Sequence, residues 1–155
     1  MTVKPDFNIA KWMGQLVSKY PSTVENDLKI TAAKTKQKLI KATPKKTGRT
    51  SQLWEIKRKS ATIYDITNKD KVAVFLEEGT GIHGPKKRQI TAKKAGGFLH
   101  FPIIQGNTIV GWVRTKSVAG IKAVHMVKDT IPFTQNFLTK RLEASIKKLW
   151  ERRTV

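Results

Sequence analysis

The spacing of apolar residues changes twice along this chain, and no other feature restricts its fold as strongly. Between residues 22 and 42, apolar side chains recur at every third or fourth position, which is the period of an amphipathic helix. After PKKTGR, residues 44–49, come short runs rich in β-branched and aromatic residues, and a helical period returns near residue 129. This order of segments predicts an α+β fold.

Two helices are predicted in the N-terminal third of the chain. The first covers residues 8–19 and stops at a Tyr-Pro pair, because proline disfavours helical backbone in the residue before it. The second begins at Ser22 or Thr23, either of which can act as its N-cap. Glu25 and Asp27 are expected in its first turn, where the helix dipole favours negative charge. Its recurring positions are Val24, Leu28, Ala32, Thr35 and Leu39.

A long helix is predicted at the C-terminal end, over residues 129–152. Pro132 is compatible with this helix only in its first turn, where the missing N–H has no partner within the helix. The apolar stripe of the helix is formed by Ile131, Leu138, Leu142, Ile146 and Leu149.

The residues between the helices predict about five strands, which we expect to form one antiparallel sheet packed against a long helix. The KRKS stretch, residues 57–60, separates the first two strands, and residues 105–107 form the turn of a hairpin between the last two. Residues 79–97 are predicted to be a long basic loop, and loops of this length are usually functional or disordered. The predicted strands cover residues 53–56, 61–67, 72–76, 98–104 and 108–114.

Net charge is the compositional feature that says most about partners. The chain has 31 Lys and Arg against 11 Asp and Glu, a formal net charge of +20, which favours a polyanionic or acidic partner. The interval between Glu78 and Asp129 contains no acidic residue. Glycines at both ends let the 79–97 loop project, so its cations are the candidates for contact with DNA or another partner: Lys86, Lys87, Arg88, Lys93 and Lys94.

The stretch EEGTGIHGP, residues 77–85, can be read as a phosphate-binding loop, but its surroundings favour a structural role. Its three glycines fit G-x-G-x-x-G, yet no helical period follows to supply the helix N-terminus that binds a pyrophosphate. Pro85 stands where a P-loop requires lysine. We predict a strand end and a tight glycine turn, in which a Glu carboxylate or the Thr80 hydroxyl bonds to the loop's own N–H groups.

Metal binding and acid–base catalysis are not favoured by the same stretch. On a strand, Glu77 and Glu78 would point to opposite faces and could not share one ion. The spacing matches no recurring metal motif, although histidines could join through the fold. We expect His83 in water, His100 on a strand face and His125 packed inside. The chain has no cysteine, and we predict no catalytic, cofactor or metal site and no enzymatic activity.

Size and hydropathy predict one soluble domain made in the cytoplasm. The 155 residues suffice for a single core, and no segment approaches the about 18 apolar residues of a membrane span. The N-terminus lacks the apolar region of a secretory signal. The domain is expected to consist of an N-terminal helical arm, residues 1–21, and an α+β part, residues 22–155.

Three motifs follow one another along the chain: PKKTGR at 44–49, AVFLEEGTG at 73–81 and AGIKAVHMVKDTI at 119–131. In this order and spacing, the chain resembles the tail-component family of tailed double-stranded-DNA bacteriophages, the head–tail connector or tail-completion proteins of the neck. The match covers about residues 22–150. Its signature positions are structural rather than catalytic: Pro44, Thr47, Gly48, Ala73, Glu77, Gly79, Thr80, Gly120, Lys122 and Ala123.

The resemblance implies a structural virion subunit that joins copies of itself into a ring, expected to be a hexamer. The ring would lie in the neck, between the head connector or adaptor and the tail terminator or tail-tube proteins. Genomic double-stranded DNA would pass through its channel, and no membrane would be involved. Such a subunit is synthesised in the host cytoplasm and acts in the virion.

A free basic nucleic-acid-binding module is the alternative interpretation. Four aromatic residues in the β-rich part could stack on bases, as in single-strand binding proteins. They lie in apolar runs, however, so we expect them to pack in the core. These residues are Trp54, Phe98, Phe101 and Trp112.

Overall fold

The structure is a computed structural model that describes Gly14 and residues 18–45, 48–106 and 108–151. Most of the helix predicted over residues 8–19 lies outside the described residues, as do Thr47 of the first motif and Asn107 of the predicted hairpin turn.

Four helices and six short strands make up the described part of the chain. The helices are α1 (Pro21–Ala42), α2 (Arg49–Gln52), α3 (Lys71–Glu78) and α4 (Met126–Glu151), with a 3₁₀ turn at Gly81–His83. The strands are β1 (Trp54–Ser60), β2 (Ile63–Asn68), β3 (Ile90–Thr91), β4 (Leu99–Gln105), β5 (Thr108–Thr115) and β6 (Ser117–Val118).

The mixed α+β class is confirmed, but the predicted sheet is matched only in part. The strands form three separate antiparallel pairs, β1–β2, β3–β6 and β4–β5, instead of one sheet. The β1–β2 pair packs against α1, which in turn packs against α4. The helices and the β1–β2 pair therefore form one body. The β3–β6 and β4–β5 pairs belong to a different part of the molecule.

Pro21 sets the start of α1, so the predicted caps Ser22 and Thr23 are wrong. Pro21 begins the helix, where its fixed φ is favourable and its missing N–H has no helical partner. The N-cap position falls on Tyr20, whose side chain makes no capping hydrogen bond. The predicted positions Val24, Ala32, Thr35 and Leu39 are buried, and Leu28 is half-buried.

The two acidic residues predicted for the first turn of α1 instead make tertiary contacts. The first turn contains no acidic residue, because the helix starts earlier than expected. Glu25 pairs with Arg58 of β1, and Asp27, which is 1% exposed, pairs with Arg141 of α4. Both carboxylates thus connect elements, and neither acts on the dipole of its own helix.

The two long helices α1 and α4 lie antiparallel along a seam with several polar contacts. Toward one end, the Asp27 carboxylate accepts hydrogen bonds from Arg141 and Ser145. Further along, the hydroxyls of Thr35 and Thr134 are 3.0 Å apart. Because each hydrogen bond requires specific partners, this seam fixes the register of the two helices more narrowly than apolar packing alone.

A small apolar core lies where α1, β1, α3 and α4 meet. Its members are Leu39, Trp54, Ala73 and Met126, each at most 6% exposed. The indole N–H of Trp54 donates to the Thr43 hydroxyl at 2.9 Å, so the polar atom of this buried ring has a partner. Partly buried residues surround the cluster: Ile40, Ala42, Ile66 and Leu76.

The KRKS stretch does not separate two strands, as predicted, but forms the second half of β1. The turn of the hairpin lies at Ala61 and Thr62. Lys59 pairs with Asp65 of β2 at 2.6 Å, and both side chains remain partly in water. A hairpin covered on one face only can carry such charges on its other face, which explains why a basic run continues the strand.

Residues 72–76, predicted as a strand, form most of α3, so that prediction is wrong. The Asp70 carboxylate caps this helix by accepting the N–H of Val72 at 3.0 Å. Ala73 is buried and Leu76 is half-buried, three positions apart on the side that meets the core. The cap and the burial of this face outweigh the strand preference of the β-branched residues.

The hydrogen bonds of Asp70 should make the free energy of unfolding depend on pH in the acidic range. The Thr50 hydroxyl and then the Val72 N–H donate to the carboxylate, and they hold its pKa below the ordinary value. The folded pKa lies below the unfolded value of about 3.9, so this stabilisation is complete above that pH and is lost as pH falls through the folded pKa. We expect Asp70→Asn to lower the free energy of unfolding at pH 7 but not at pH 2, as measured by urea unfolding. An equal difference at both pH values would contradict this assignment.

The C-terminal helix is confirmed, although it begins three residues earlier than predicted. Because α4 starts at Met126, Pro132 lies inside the helix and not in its first turn. Its ring nitrogen cannot donate to the Lys128 carbonyl, so one helical hydrogen bond is missing there. Of the predicted stripe, Leu142 is buried and Leu138, Ile146 and Leu149 are half-buried, whereas Ile131 is exposed.

Candidate assembly interface

The EEGTG turn runs beside residues 119–123 and is hydrogen-bonded to them through the main chain. The Thr80 N–H donates to the Ile121 carbonyl at 2.9 Å, and the Ile82 N–H donates to the Ala119 carbonyl at 2.8 Å. In return, the Ile121 N–H donates to the Thr80 hydroxyl at 2.9 Å. We call residues 79–84 together with 119–123 the clasp. The Thr80 hydroxyl therefore bonds to a distant segment and not, as predicted, to its own loop.

Glycine is required at the clasp because the two main chains approach too closely for side chains. A Cβ on Gly81 would lie 2.0 Å from the Ala119 carbonyl oxygen, and one on Gly120 would lie 2.2 Å from the Thr80 oxygen. Both glycines also have a positive φ, +64° and +92°, which other residues rarely adopt. The second and third motifs, about forty residues apart in sequence, are thus the two halves of one contact.

Glu77 caps the N-terminus of α4 from a different helix. Its carboxylate accepts the N–H groups of Val127 at 2.8 Å and Lys128 at 3.0 Å. Free N–H groups and the helix dipole at this end both favour a negative charge. This role was not predicted from the sequence, because the cap comes from 50 residues away and follows no local capping pattern.

The acidic and histidine residues of the described chain do not form a metal site. Glu77 and Glu78 lie on a helix rather than a strand, and both carboxylate oxygens of Glu77 are already used by α4. His83 is exposed and His100 lies on strand β4, both as predicted, but His125 is exposed and is not a packed residue. In the part of the chain that the structure describes, no group of three His, Asp or Glu side chains is arranged to hold a metal ion.

Residues 79–106 and 108–123 form one antiparallel extension, which we call the arm. The clasp is its base, the β3–β6 pair follows, and the β4–β5 hairpin is its tip. At about 3.3 Å per residue, the returning limb, residues 108–123, spans at most about 50 Å. The predicted 98–114 hairpin is confirmed, but the predicted 79–97 loop is in fact partly paired along this arm.

The basic residues predicted to contact DNA lie on two side loops of the arm. The outgoing limb leaves the strand pairing at residues 85–89 and again at 92–98. The first side loop carries Lys86, Lys87 and Arg88, the second carries Lys93 and Lys94, and all five are exposed. None of them takes part in the ion pairs of the described residues. The arm therefore presents two clusters of exposed positive charge.

The tip of the arm is apolar on its surface. Ile109, Val110 and Trp112 are each more than half exposed, and β4 and β5 make their extensive contacts with each other. The prediction that Phe98, Phe101 and Trp112 pack in the core is wrong, because only Trp54 does so. Sequence patterns could not distinguish these cases, since an apolar strand has the same composition whether its side chains are exposed or packed in the core.

An open groove of about 1050 Å³ lies between α3 and the base of the arm. Val74 and Phe75 of α3 form one wall, and Ile121 and Ile90 of the arm contribute apolar surface opposite. Each of these four side chains is at least 39% exposed. Glu78, also exposed, lines the groove one helical turn after Val74. This groove was not predicted from the sequence, because its α3 wall was predicted as a strand.

The remaining signature residues have structural positions. Ala73 lies in the core, and Gly48 has φ +76° in the turn that leads into α2. Gly79 ends α3 and is buried within the clasp, close to the main chain of Ile121 and Ala123. Pro44 and Lys122 are exposed, and Ala123 is half-buried.

Comparison with protein-family models, with curated proteins and with solved structures found no match to this chain. None of the helices in the described ranges combines the length and the apolar character needed to cross a membrane.

Proposed function

We propose that this chain is a structural subunit of the neck of a tailed bacteriophage, a tail-completion or head–tail joining protein. Copies of it would assemble into a ring, expected to be a hexamer, between the head connector or adaptor and the tail terminator or tail-tube proteins. Genomic double-stranded DNA would pass through the channel. The subunit catalyses no reaction in this proposal, and its 155 residues act as one domain.

The observation that carries the proposal is the arm. Its tip exposes Ile109, Val110 and Trp112, each by more than half, and exposed apolar surface of this kind often marks a contact with another protein. Its side loops carry five exposed cations in a segment without a single acidic residue. A subunit that contacts protein neighbours at one place and DNA at another would need both features.

The amount of charge limits how much of it DNA can neutralise. A channel about 40 Å long would hold roughly 24 phosphates, because duplex DNA carries one charge per about 1.7 Å. Six copies with +20 each would bring several times more positive charge than this. Only a few residues per copy can face the DNA, and the five cations of the side loops are the candidates. The other cations would face solvent or acidic neighbouring proteins.

The strand pattern of the sequence predicts one sheet of about five strands, which is larger than any sheet in the described chain. The outer edges of β1 and β2 have no strand partner within the described residues. In a ring, strands of neighbouring copies could pair with these edges and enlarge the sheet toward the expected five strands.

Assembly is tested with the purified protein and with particles. Size-exclusion chromatography with light scattering should give a closed oligomer, and electron microscopy should show a ring with an axial channel. In phage particles that lack the protein, we expect heads and tails that fail to join. Normal joining of heads and tails without this protein would exclude the proposal.

Replacing the side-loop cations should reduce the salt dependence of DNA binding. The slope of the logarithm of the DNA-binding constant against the logarithm of salt concentration changes by about 0.9 for each phosphate that the protein no longer neutralises. A variant in which glutamine replaces all five side-loop cations should therefore show a clearly smaller slope. The replaced residues are Lys86, Lys87, Arg88, Lys93 and Lys94. Fluorescence anisotropy with duplex DNA at several salt concentrations measures this. The matched control replaces five exposed lysines of the helical body and should keep the slope: Lys29, Lys34, Lys41, Lys140 and Lys147. Equal slopes for the two variants would exclude these loops as the DNA contact.

The exposed aromatic residues of the arm favour a second candidate, a free nucleic-acid-binding module. Trp112 stacks on His100 at 4.8 Å between ring centres, and Arg114 lies 4.3 Å above the Phe98 ring. Such platforms can stack on bases. Nanomolar binding of single-stranded DNA or RNA by a monomer would support this function, whereas weak binding that disappears at moderate salt would support the neck subunit.

A further inference from the structure

The groove between α3 and the base of the arm is bordered by a strand edge. Within the described residues, β3 pairs with β6 and with no other strand, so its second edge carries main-chain groups without a strand partner. Gln89 and both residues of β3, Ile90 and Thr91, line the groove. Successive side chains of a strand point to opposite faces, so this lining indicates that the edge of β3 borders the groove. An extended peptide can bind such an edge by adding a strand to it.

The short β3–β6 pair would itself gain from a third strand. Each of its strands has only two residues, and a two-stranded pair is at best marginally stable in water. A peptide strand on the open edge would satisfy the main-chain N–H and C=O groups there and enlarge the sheet.

The walls of the groove are apolar and are held in place by contacts within the chain. Val74 and Phe75 of α3 and Ile121 of the clasp are each at least 50% exposed. The Val124 N–H donates to the Leu76 carbonyl at 2.7 Å, and this bond joins α3 to the end of the clasp. The volume of about 1050 Å³ is at the upper limit of the about 300–1,000 Å³ that ligand sites usually have.

The charge of the groove favours an acidic partner. Two cations of the first side loop, Lys86 and Arg88, line it together with one carboxylate, that of Glu78, which leaves a net charge of +1. Lys87, between the two cations, has φ +46° and closes a tight turn through its N–H, so the turn positions both of them. Residues 79–128 add further cations and no acidic residue. A segment that binds here should therefore carry carboxylates.

A second copy of this chain does not offer a strand of this kind in its described residues. β3, β4, β5 and β6 contain no acidic residue. The carboxylates of β1 and β2 already pair within the chain, Glu55 with Lys69 at 2.7 Å and Asp65 with Lys59 at 2.6 Å. Duplex DNA fits poorly as well, because its phosphates would pair with the cations but leave the apolar walls in water.

We propose that the groove binds an extended acidic segment of a neighbouring protein of the neck, which adds to β3 as a third strand. Apolar side chains at alternate positions of this segment contact Val74, Phe75 and Ile121, because side chains alternate along a strand. Acidic side chains on its other face pair with Lys86 and Arg88. The inference rests on the proposed function for the source of the segment. It assigns the first side loop to a protein partner and leaves the second side loop for DNA.

A synthetic peptide tests the chemistry of the site. The probe is a fluorescein-labelled octapeptide of alternating valine and glutamate, and its anisotropy should show saturable binding to the full chain. A peptide of alternating serine and glutamate has the same charge but lacks the apolar side chains, so it should bind at least about tenfold more weakly. No binding of the first peptide, or equal binding of both, would overturn the inference.

N-methylation of the probe tests strand addition. Only alternate N–H groups of an added strand point toward β3, so methylating that set should abolish binding, whereas methylating the other set should have little effect. If both methylated peptides bind as well as the probe, or if both lose binding equally, the peptide does not add to β3 as a strand.

Two matched pairs of charge-neutralising variants locate the carboxylate contact on the chain. The double variant Lys86→Gln with Arg88→Gln should weaken binding of the valine–glutamate probe by about tenfold, because charge-assisted hydrogen bonds are lost. The double variant Lys93→Gln with Lys94→Gln removes the same charge from the second side loop and should leave binding unchanged, since neither residue lines the groove. Equal effects of the two double variants would exclude the assigned contact.

A second pair of variants tests the apolar wall. Val74→Asp should weaken probe binding by about tenfold or more, because it places a negative charge against an acidic peptide. Val72→Asp makes the same change on the same helix, at an exposed position that does not line the groove, and should have little effect. Equal losses at Val74 and Val72 would contradict binding in the groove.

Failure of this inference is distinguishable from failure of the proposed function. If the protein forms a ring but does not bind the probe, the inference fails and the proposed function stands. If the probe binds as expected but heads and tails join normally without the protein, the groove remains a peptide site. The proposed function then fails, and with it the source assigned to the segment.

Discussion

Replacing Gly81 with alanine is expected to open the clasp. The new Cβ would lie 2.0 Å from the Ala119 carbonyl oxygen, a main-chain atom that cannot move without breaking the hydrogen bond it accepts from Ile82. A left-handed residue other than glycine costs about 1 kcal/mol. Breaking the two main-chain hydrogen bonds of the clasp, from Thr80 to Ile121 and from Ile82 to Ala119, costs about 1 kcal/mol each, so we expect a total of about 3 kcal/mol. Amide hydrogen exchange at Thr80 and Ile82 should accelerate by about a hundredfold.

Gly96 provides the matched control for this substitution. It has a similar φ of +73°, but a Cβ there would meet nothing within 4 Å. Gly96→Ala should therefore show the cost of the left-handed backbone, about 1 kcal/mol, without the collision. Gly120→Ala should resemble Gly81→Ala, and the double variant should cost less than the sum, because the first substitution already separates the two segments. Equal effects at Gly81 and Gly96 would contradict close packing at the clasp.

The parts of the fold that sequence patterns predicted are those in which local signals agree with the final packing. The long helices α1 and α4 and the β4–β5 hairpin have a clear period and recognisable turn or breaker residues. The start of α1 was mispredicted, because Ser22 and Thr23 have the chemistry of caps but Pro21 already occupies the first helical position. Which of two neighbouring signals prevails is decided by backbone geometry that a sequence pattern does not contain.

The largest error, the strand predicted at 72–76, had consequences for the candidate site. Val72 and Val74 favour a strand locally, but the Asp70 cap and the burial of Ala73 place this segment in a helix. With it, Glu77 becomes the cap of α4, and the valines become exposed. The groove at α3 could not be predicted, because it depends on this helix and on a clasp between segments far apart in sequence.

The basic side loops were predicted better, because charge and glycine content are local properties. All five predicted cations are exposed, as a projecting loop requires. The pairing of β3 with β6 was not visible in the sequence, since two-residue strands give no measurable period. The arm as a unit therefore emerges only from tertiary contacts.

Replacing Arg141 with methionine should destabilise the α1–α4 seam by about 3 kcal/mol, because an unpaired buried carboxylate is left behind. Asp27 has a side chain that is 2% exposed, and its Oδ1 accepts from Arg141 Nε at 3.0 Å and Nη2 at 2.7 Å. Only the Ser145 hydroxyl, which donates to Oδ2 at 2.6 Å, would remain. The expected loss in the free energy of unfolding lies at the low end of the range for breaking a buried ion pair. The reason is that the Arg141 side chain is 33% exposed, so water can enter in its place. Urea unfolding at pH 7 measures the change.

Two comparisons distinguish the effect of leaving a buried carboxylate unpaired from the effect of removing an arginine contact in general. Arg58→Met removes the surface pair with Glu25 on the same helix α1 and should cost less than about 1 kcal/mol. The triple replacement Asp27→Leu, Arg141→Met and Ser145→Ala removes all the polar partners together, and its stability should return to within about 1 kcal/mol of the original protein. Equal destabilisation by Arg141→Met and Arg58→Met would contradict a special role for the buried carboxylate. Recovery in the triple variant would mean that the network of Asp27, Arg141 and Ser145 contributes little net stability. Its effect would then be to select one register of α1 against α4. That register positions the N-terminus of α4, which Glu77 caps.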